Sequence, residues 1–183
     1  MITLSANRLH WMRDNGTDES WDLCAHSPVT FEIDDEVITR PEDGDWTVSA
    51  SAIFLLRALG RNHTKESKVG DQIFPCCGHG IYEVGESEVA ICGCPLGIDF
   101  EIRHTESSVQ ISTEDGRVIE VPREDWRIAV LRYSDQVMEF YDRFAPKTPA
   151  DEVDRKGFAA MMAEWQRLRL ENTMAEQVGA PNP

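Results

Sequence analysis

Four of the five cysteines, Cys76, Cys77, Cys92 and Cys94, fall within nineteen residues, with His79 among them. Thiolate and imidazole hold zinc tetrahedrally, and two thiols in reach can close a disulfide. A thiol that does neither packs as a small hydrophobe. The run reads Phe74-Pro75-Cys76-Cys77-Gly78-His79-Gly80, then, after Ile81 to Ala90, Ile91-Cys92-Gly93-Cys94-Pro95. Cys77, His79, Cys92 and Cys94 are therefore the candidate ligands of one structural zinc, with Gly78, Gly80 and Gly93 able to bend the backbone around an ion. The spacing is not that of a zinc ribbon or zinc finger, so structural packing with no cofactor stands beside the metal reading.

A nucleophilic cysteine needs a base within hydrogen-bond reach and a third group to orient that base. His79, His104, Asp99 and Glu101 are the candidates. The sequence contains no Gly-rich phosphate loop, no His-Glu-x-x-His helix and no Gly-x-Ser-x-Gly elbow. The expectation is a protein that is not an enzyme. His10, His26, His63 and His104 stand singly and are read as surface or satisfied core histidines. Cys24 leaves an odd count, which speaks against a disulfide framework. The opening Met1-Ile2-Thr3-Leu4-Ser5-Ala6-Asn7 lacks the basic start and apolar stretch of a signal peptide. A cytoplasmic location is expected, where thiols stay reduced.

The elements around the cysteines decide whether they can meet. Ile81-Tyr82-Glu83-Val84 and Glu88-Val89-Ala90-Ile91-Cys92 alternate about Gly85-Glu86-Ser87 and predict a hairpin. If those three residues form the loop, Val84 faces Glu88, and Cys92 and Cys94 project opposite to Cys77 and His79. A slip of one residue brings all four to one face, because side chains alternate with period two. Ile98 to His104, Val109 to Thr113 and Val118 to Val121 add three strands, the last two turning at Asp115-Gly116. Ser49 caps a helix with an apolar stripe at Ala52, Ile53, Leu55, Leu56 and Leu59, and Arg61 to Asp71 reads as a mobile polar loop. Val130, Leu131, Val137, Met138, Tyr141 and Phe144 mark a second helix, and Thr148-Pro149-Ala150-Asp151 starts a third. Trp126 and Trp165 lie on these helical stripes as core residues.

The expected fold is α+β: a central antiparallel β-meander of about five strands with helices packed on one face. A single domain spans 1–183, with an acidic strand and loop segment (1–45), a helix (46–60), the β-meander (81–121) and two C-terminal helices (123–172).

The chain carries 33 acidic and 18 basic side chains over 183 residues, a net charge of −15. From Asp14 to Asp45 eleven acids face one base, Arg40. Such a field repels phosphate backbones, so direct nucleic-acid binding is not expected, and it speeds encounter with a basic protein. Solubility is the plainer use of the same charge. No apolar run approaches the roughly 20 residues of a membrane span. The acids lack the Asp-x-Asp-x-Asp-Gly spacing of a calcium loop. Asp34, Asp35, Glu36, Asp43 and Asp45 are the candidate partner-binding residues, with Trp21 or Trp46 as apolar anchors.

Leu55-Leu56-Arg57, Phe74-Pro75-Cys76-Cys77-Gly78-His79, Gly93-Cys94-Pro95-Leu96-Gly97-Ile98-Asp99 and Val137-Met138-Glu139-Phe140-Tyr141 form a pattern. With the closing Asp151 to Arg155 and Glu164-Trp165, it resembles small acidic bacterial proteins of the toxin-immunity type. The resemblance lies in size, acidity and lack of a catalytic motif, and covers about two thirds of the chain. It implies a non-catalytic inhibitor that covers the cleft of a basic toxin domain, a nuclease or nucleic-acid-modifying enzyme. The other class open to the residues is a zinc-stabilised enzyme or regulatory domain centred on the Cys/His cluster.

Overall fold

A computed structural model describes residues 1–12, 20–78, 80–85, 88–144 and 146–178. The strands, in chain order, are β1 (Ile2–Ala6), β2 (His10–Trp11), β3 (Ala25–Ser27), β4 (Val29–Ile33), β5 (Glu36–Thr39), β6 (Trp46–Thr47), β7 (Phe74–Pro75), β8 (Gly80–Val84), β9 (Glu88–Cys92), β10 (Gly97–Ile98), β11 (Phe100–His104), β12 (Ser108–Thr113) and β13 (Val118–Pro122). The α-helices are α1 (Val48–Arg57), α2 (Arg123–Asp142) and α3 (Glu152–Val178), and a 3-10 turn spans Pro41–Asp43.

The sequence of α1, Val-Ser-Ala-Ser-Ala-Ile-Phe-Leu-Leu-Arg, runs from small to large side chains and carries no charge until its last residue. Val48 to Leu56 are buried on every side, as a helix apolar all round must be. The expected single stripe was too narrow. α1 packs against α2 and α3 and against β3, β6 and β7. Ser51 meets its own polar demand by donating from Oγ to Thr47 O at 3.1 Å. Thr47, not Ser49, is the N-cap residue.

The α+β class is as expected, but the strands form several small antiparallel sheets of at most three strands. β1-β4-β5, β2-β3-β6 and β11-β12-β13 have three each, and β8-β9 and β7-β10 have two. The five-strand meander is corrected to the three-stranded β11–β13 sheet and a separate β8–β9 hairpin. Pro95 has no N–H to extend a ladder. The chain after β9 turns away there and pairs back on Phe74 and Pro75 as β10, so the hairpin never reaches β11. It lies instead under α3, where an added Cβ at Gly157 would meet Ile81 O at 2.0 Å.

Phe31, Phe74, Phe100 and Trp126 pack ring against ring in the centre. They tie three sheets to α2. Trp126 and Trp165 are core residues, as expected. α3 begins at Glu152, with Asp151 Oδ1 accepting from the Val153 and Asp154 N–H groups. Asp151, the last residue of the expected helix start, therefore does the capping.

One ion pair is closed inside this frame. Arg57 Nε and Nη2 donate to Glu164 Oε1 and Oε2 at 2.7 and 2.8 Å. Arg57 also donates to Val69 O and Val89 O at 2.9 and 2.5 Å, and Val89 N–H donates to Glu164 Oε2 at 2.7 Å. α1, α3, β9 and the loop before β7 thus meet at two charged side chains.

Candidate functional site

The cysteine loops are pressed backbone to backbone. Gly97 pairs with Pro75 and Ile98 with Phe74, and Cys76 N–H donates to Leu96 O at 2.9 Å. An added Cβ at Gly93 would stand 1.7 Å from Cys77 O, so only glycine fits there. Cys94 N–H donates to Cys77 Sγ at 2.8 Å. The thiols of Cys76 and Cys77 both lie close to that of Cys94, whose Sγ also faces Leu96 O at 3.8 Å. All three are half-buried.

Their environments differ. The Cys77 side chain bonded to Cys94 Sγ, helped by the backbone of Leu96, holds the Cys94 thiol below its ordinary value. The same hydrogen bond pushes Cys77 up, and burial with the bond to Cys94 pushes Cys76 up. Cys24 lies deeper, its Sγ 3.5 Å from Gly78 O, and burial pushes it up to about 12. A protonated, enclosed Cys24 is a packing residue.

Of the expected zinc ligands, Cys77 and Cys94 meet and Cys92 stands apart. Val84 pairs with Glu88 and Gly80 with Cys92. The ladder ends at that pair, leaving Cys92 exposed, whereas Cys94, beyond the ladder, comes to Cys77. Cys76, absent from the quartet, takes the third place. His79 lies outside the described residues. Among the described residues no three His, Cys, Asp or Glu side chains are grouped to hold a metal ion.

Asp99 finds its histidine, but a different one from those anticipated. Val69 N–H donates to His63 Nδ1 at 3.0 Å, so the neutral ring carries its proton on Nε2. That proton goes to Asp99 Oδ1 at 3.0 Å, and Ile73 N–H reaches the same oxygen at 3.1 Å. A cleft of about 440 Å³ lies above, lined in part by Lys65, Asp99, Glu101 and Glu114. Both ring nitrogens of His63 are committed within the protein, and the residue is 1% exposed. Together with the His63–Ile102 backbone bridge, this bond ties the segment expected as a mobile loop onto β11. His104 Nε2 donates to Ala58 O at the end of α1, and Glu101 accepts from Arg103. Neither stands as a base beside a cysteine thiol.

The acidic candidates divide between two places. Asp34, Asp35 and Glu36 form the exposed turn of the β4–β5 hairpin, with Asp34 at φ 51°. The N-terminal amine pairs with Asp34, and Arg117 Nη1 pairs with Glu36 at 2.8 Å. Asp43 and Asp45 stand elsewhere. Asp43 accepts from Arg40 N–H at 2.7 Å and closes the 3-10 turn, and Asp45 bonds His10 Nε2 at 2.7 Å. Trp21 keeps 43% of its surface exposed, whereas Trp46 keeps 8%. Trp46 is corrected from anchor to core: its ring lies on Gly44, where a Cβ would meet it at 2.7 Å. Asp14, Asp18 and Glu19 lie outside the described residues.

No helix among the described residues is long and apolar enough to cross a membrane. No protein-family model matches the chain, and no curated protein or solved structure is significantly similar to it.

Proposed function

We propose that this protein is a non-catalytic binding protein that captures a basic protein partner, in the manner of an immunity protein covering a toxin domain. The observation that carries the reading is the Asp34-Asp35-Glu36 turn, three consecutive acids exposed at one hairpin tip. Their partners within the chain are weak competitors. The N-terminal residue is 90% exposed and Arg117 38%, and water and salt screen such exposed pairs so that they contribute little. An Arg or Lys brought by a partner replaces them at little cost, gaining charge-assisted hydrogen bonds that shed water on docking. The surplus of acids in the same segment adds long-range attraction.

The test uses the immobilised full chain and a lysate of its source cells, captured at low and at about 0.5 M salt, where screening shortens to a few ångströms. A basic protein retained at low salt by the wild type and lost by the Asp35→Lys/Glu36→Lys variant is the expected result. A captured set that is identical for both chains overturns the reading.

A further inference from the structure

Two thiols from different loops meet at a cavity the size of one small ion. Cys77 and Cys94 line it together with Gln72, and its volume is about 10 Å³, room for roughly one water-sized sphere. Gln72 buries its Oε1 with no hydrogen-bond partner among the described residues. Nearly all buried polar atoms have a partner, so this one marks the cavity as a place for a polar or charged occupant. The two loops are set by their backbones. Gly93 rests on Cys77 O, the β7–β10 ladder pairs the loops, and Cys76 N–H donates to Leu96 O at 2.9 Å. Ligands placed before an ion arrives lose little freedom in binding it.

The sulfurs are also prepared for negative charge. Cys94 N–H donates to Cys77 Sγ at 2.8 Å, and such a bond strengthens when the sulfur loses its proton. Cys94 Sγ gives up only a long contact, 3.8 Å to Leu96 O. We propose that Cys77 and Cys94 hold one Cu(I) ion between their sulfurs. Soft thiolates select Cu(I), and its filled d shell is satisfied by two sulfurs in line. Zinc takes four ligands, and among the described residues no three His, Cys, Asp or Glu side chains are grouped for a metal. Both thiols release their protons to water on binding. The product is a bis-thiolate complex with one negative charge, and neither copper nor sulfur changes oxidation state. The site is independent of the acidic turn, so its failure leaves the binding reading untouched.

The reduced, full-length protein is titrated under nitrogen with Cu(I) supplied as its bicinchoninate complex. The coloured chelator outcompetes single exposed thiols, so what the protein retains reports a built site. About one copper per chain is expected to stay, with matching loss of the chelator's colour. Cys77→Ser and Cys94→Ser are each expected to lose the ion, and Cys92→Ser to keep it. Labelling of the unmodified chain with iodoacetamide, read by peptide mapping, needs no variant. Copper is expected to slow labelling of Cys77 and Cys94 roughly tenfold or more and to leave Cys92 unchanged. Surrender of all copper to the chelator, or protection of Cys92 in place of Cys77 and Cys94, overturns the proposal. Retention of Zn(II) and not Cu(I) when both are offered overturns it too, and returns the cluster to the zinc reading.

Discussion

Arg57 and Glu164 stand 107 residues apart in the chain, and the core closes on their contact. Their side chains are 10% and 1% exposed. Removing one partner from such a pair leaves a charge stranded, at a cost of about 3–5 kcal/mol. Glu164→Ala is expected to lower stability by that amount in urea unfolding. A paired apolar replacement often recovers such losses, but not here. Val69 O, Val89 O and Val89 N–H depend on the same two side chains, and each buried backbone group left unbonded costs about 1–3 kcal/mol. Arg57→Met/Glu164→Leu is therefore expected to stay well below the wild type; full recovery would show that water or the backbone takes over. Nothing in Leu55-Leu56-Arg57 or Glu164-Trp165 reveals that they meet, since the contact depends on how three elements cross. The thiols show the same limit. That cysteines gather was legible from their spacing, whereas the exchange of Cys92 for Cys76 followed from the hairpin register and the return of β10.

Elements were more legible than their arrangement. The β8–β9 hairpin, the three strands β11 to β13 and all three helices follow from apolar periodicity and turn residues, which are local properties. Their assembly into small sheets was not legible. It turns on Pro95 breaking the ladder and on close backbone approaches that only glycine permits. Gly157 is one of these. Alanine is favoured over glycine in a helix interior by about 1 kcal/mol, yet a Cβ at this position falls 2.0 Å from Ile81 O. Gly157→Ala is expected to destabilise the protein and loosen the β8–β9 hairpin from α3, seen as faster amide exchange in both strands. Gly60 has open space around its Cβ position, so Gly60→Ala is expected to change the unfolding midpoint little. Equal effects for the two substitutions would contradict the close approach of α3.

At the scale of the molecule, charge sets the response to solution conditions. A net charge of −15 repels itself, and the strain eases as carboxylates gain protons or salt screens them. Local pairing acts in the other direction. Arg103 holds Glu101 below its ordinary range, and Arg127 does the same for Glu124. Asp115 is lowered by Thr113 and Arg117. Carboxylates lowered in the folded state contribute stability above their unfolded values and lose it as pH falls through the folded ones. Urea midpoints are therefore expected to hold or rise from pH 7 to about 5 and to fall below about 4. Added salt at pH 7 is expected to raise them. A midpoint still rising below pH 4 would mean that repulsion outweighs every paired carboxylate.

α1 touches elements that precede it and elements that follow it. Its own backbone is shielded on every side, so a backbone cut elsewhere does not free it. The molecule has no severable half. A protease that nicks the exposed Lys65–Lys68 stretch should leave two pieces that co-elute under native conditions and part only in denaturant. Fragments ending before Val48 or beginning after Arg57 should not fold when made alone.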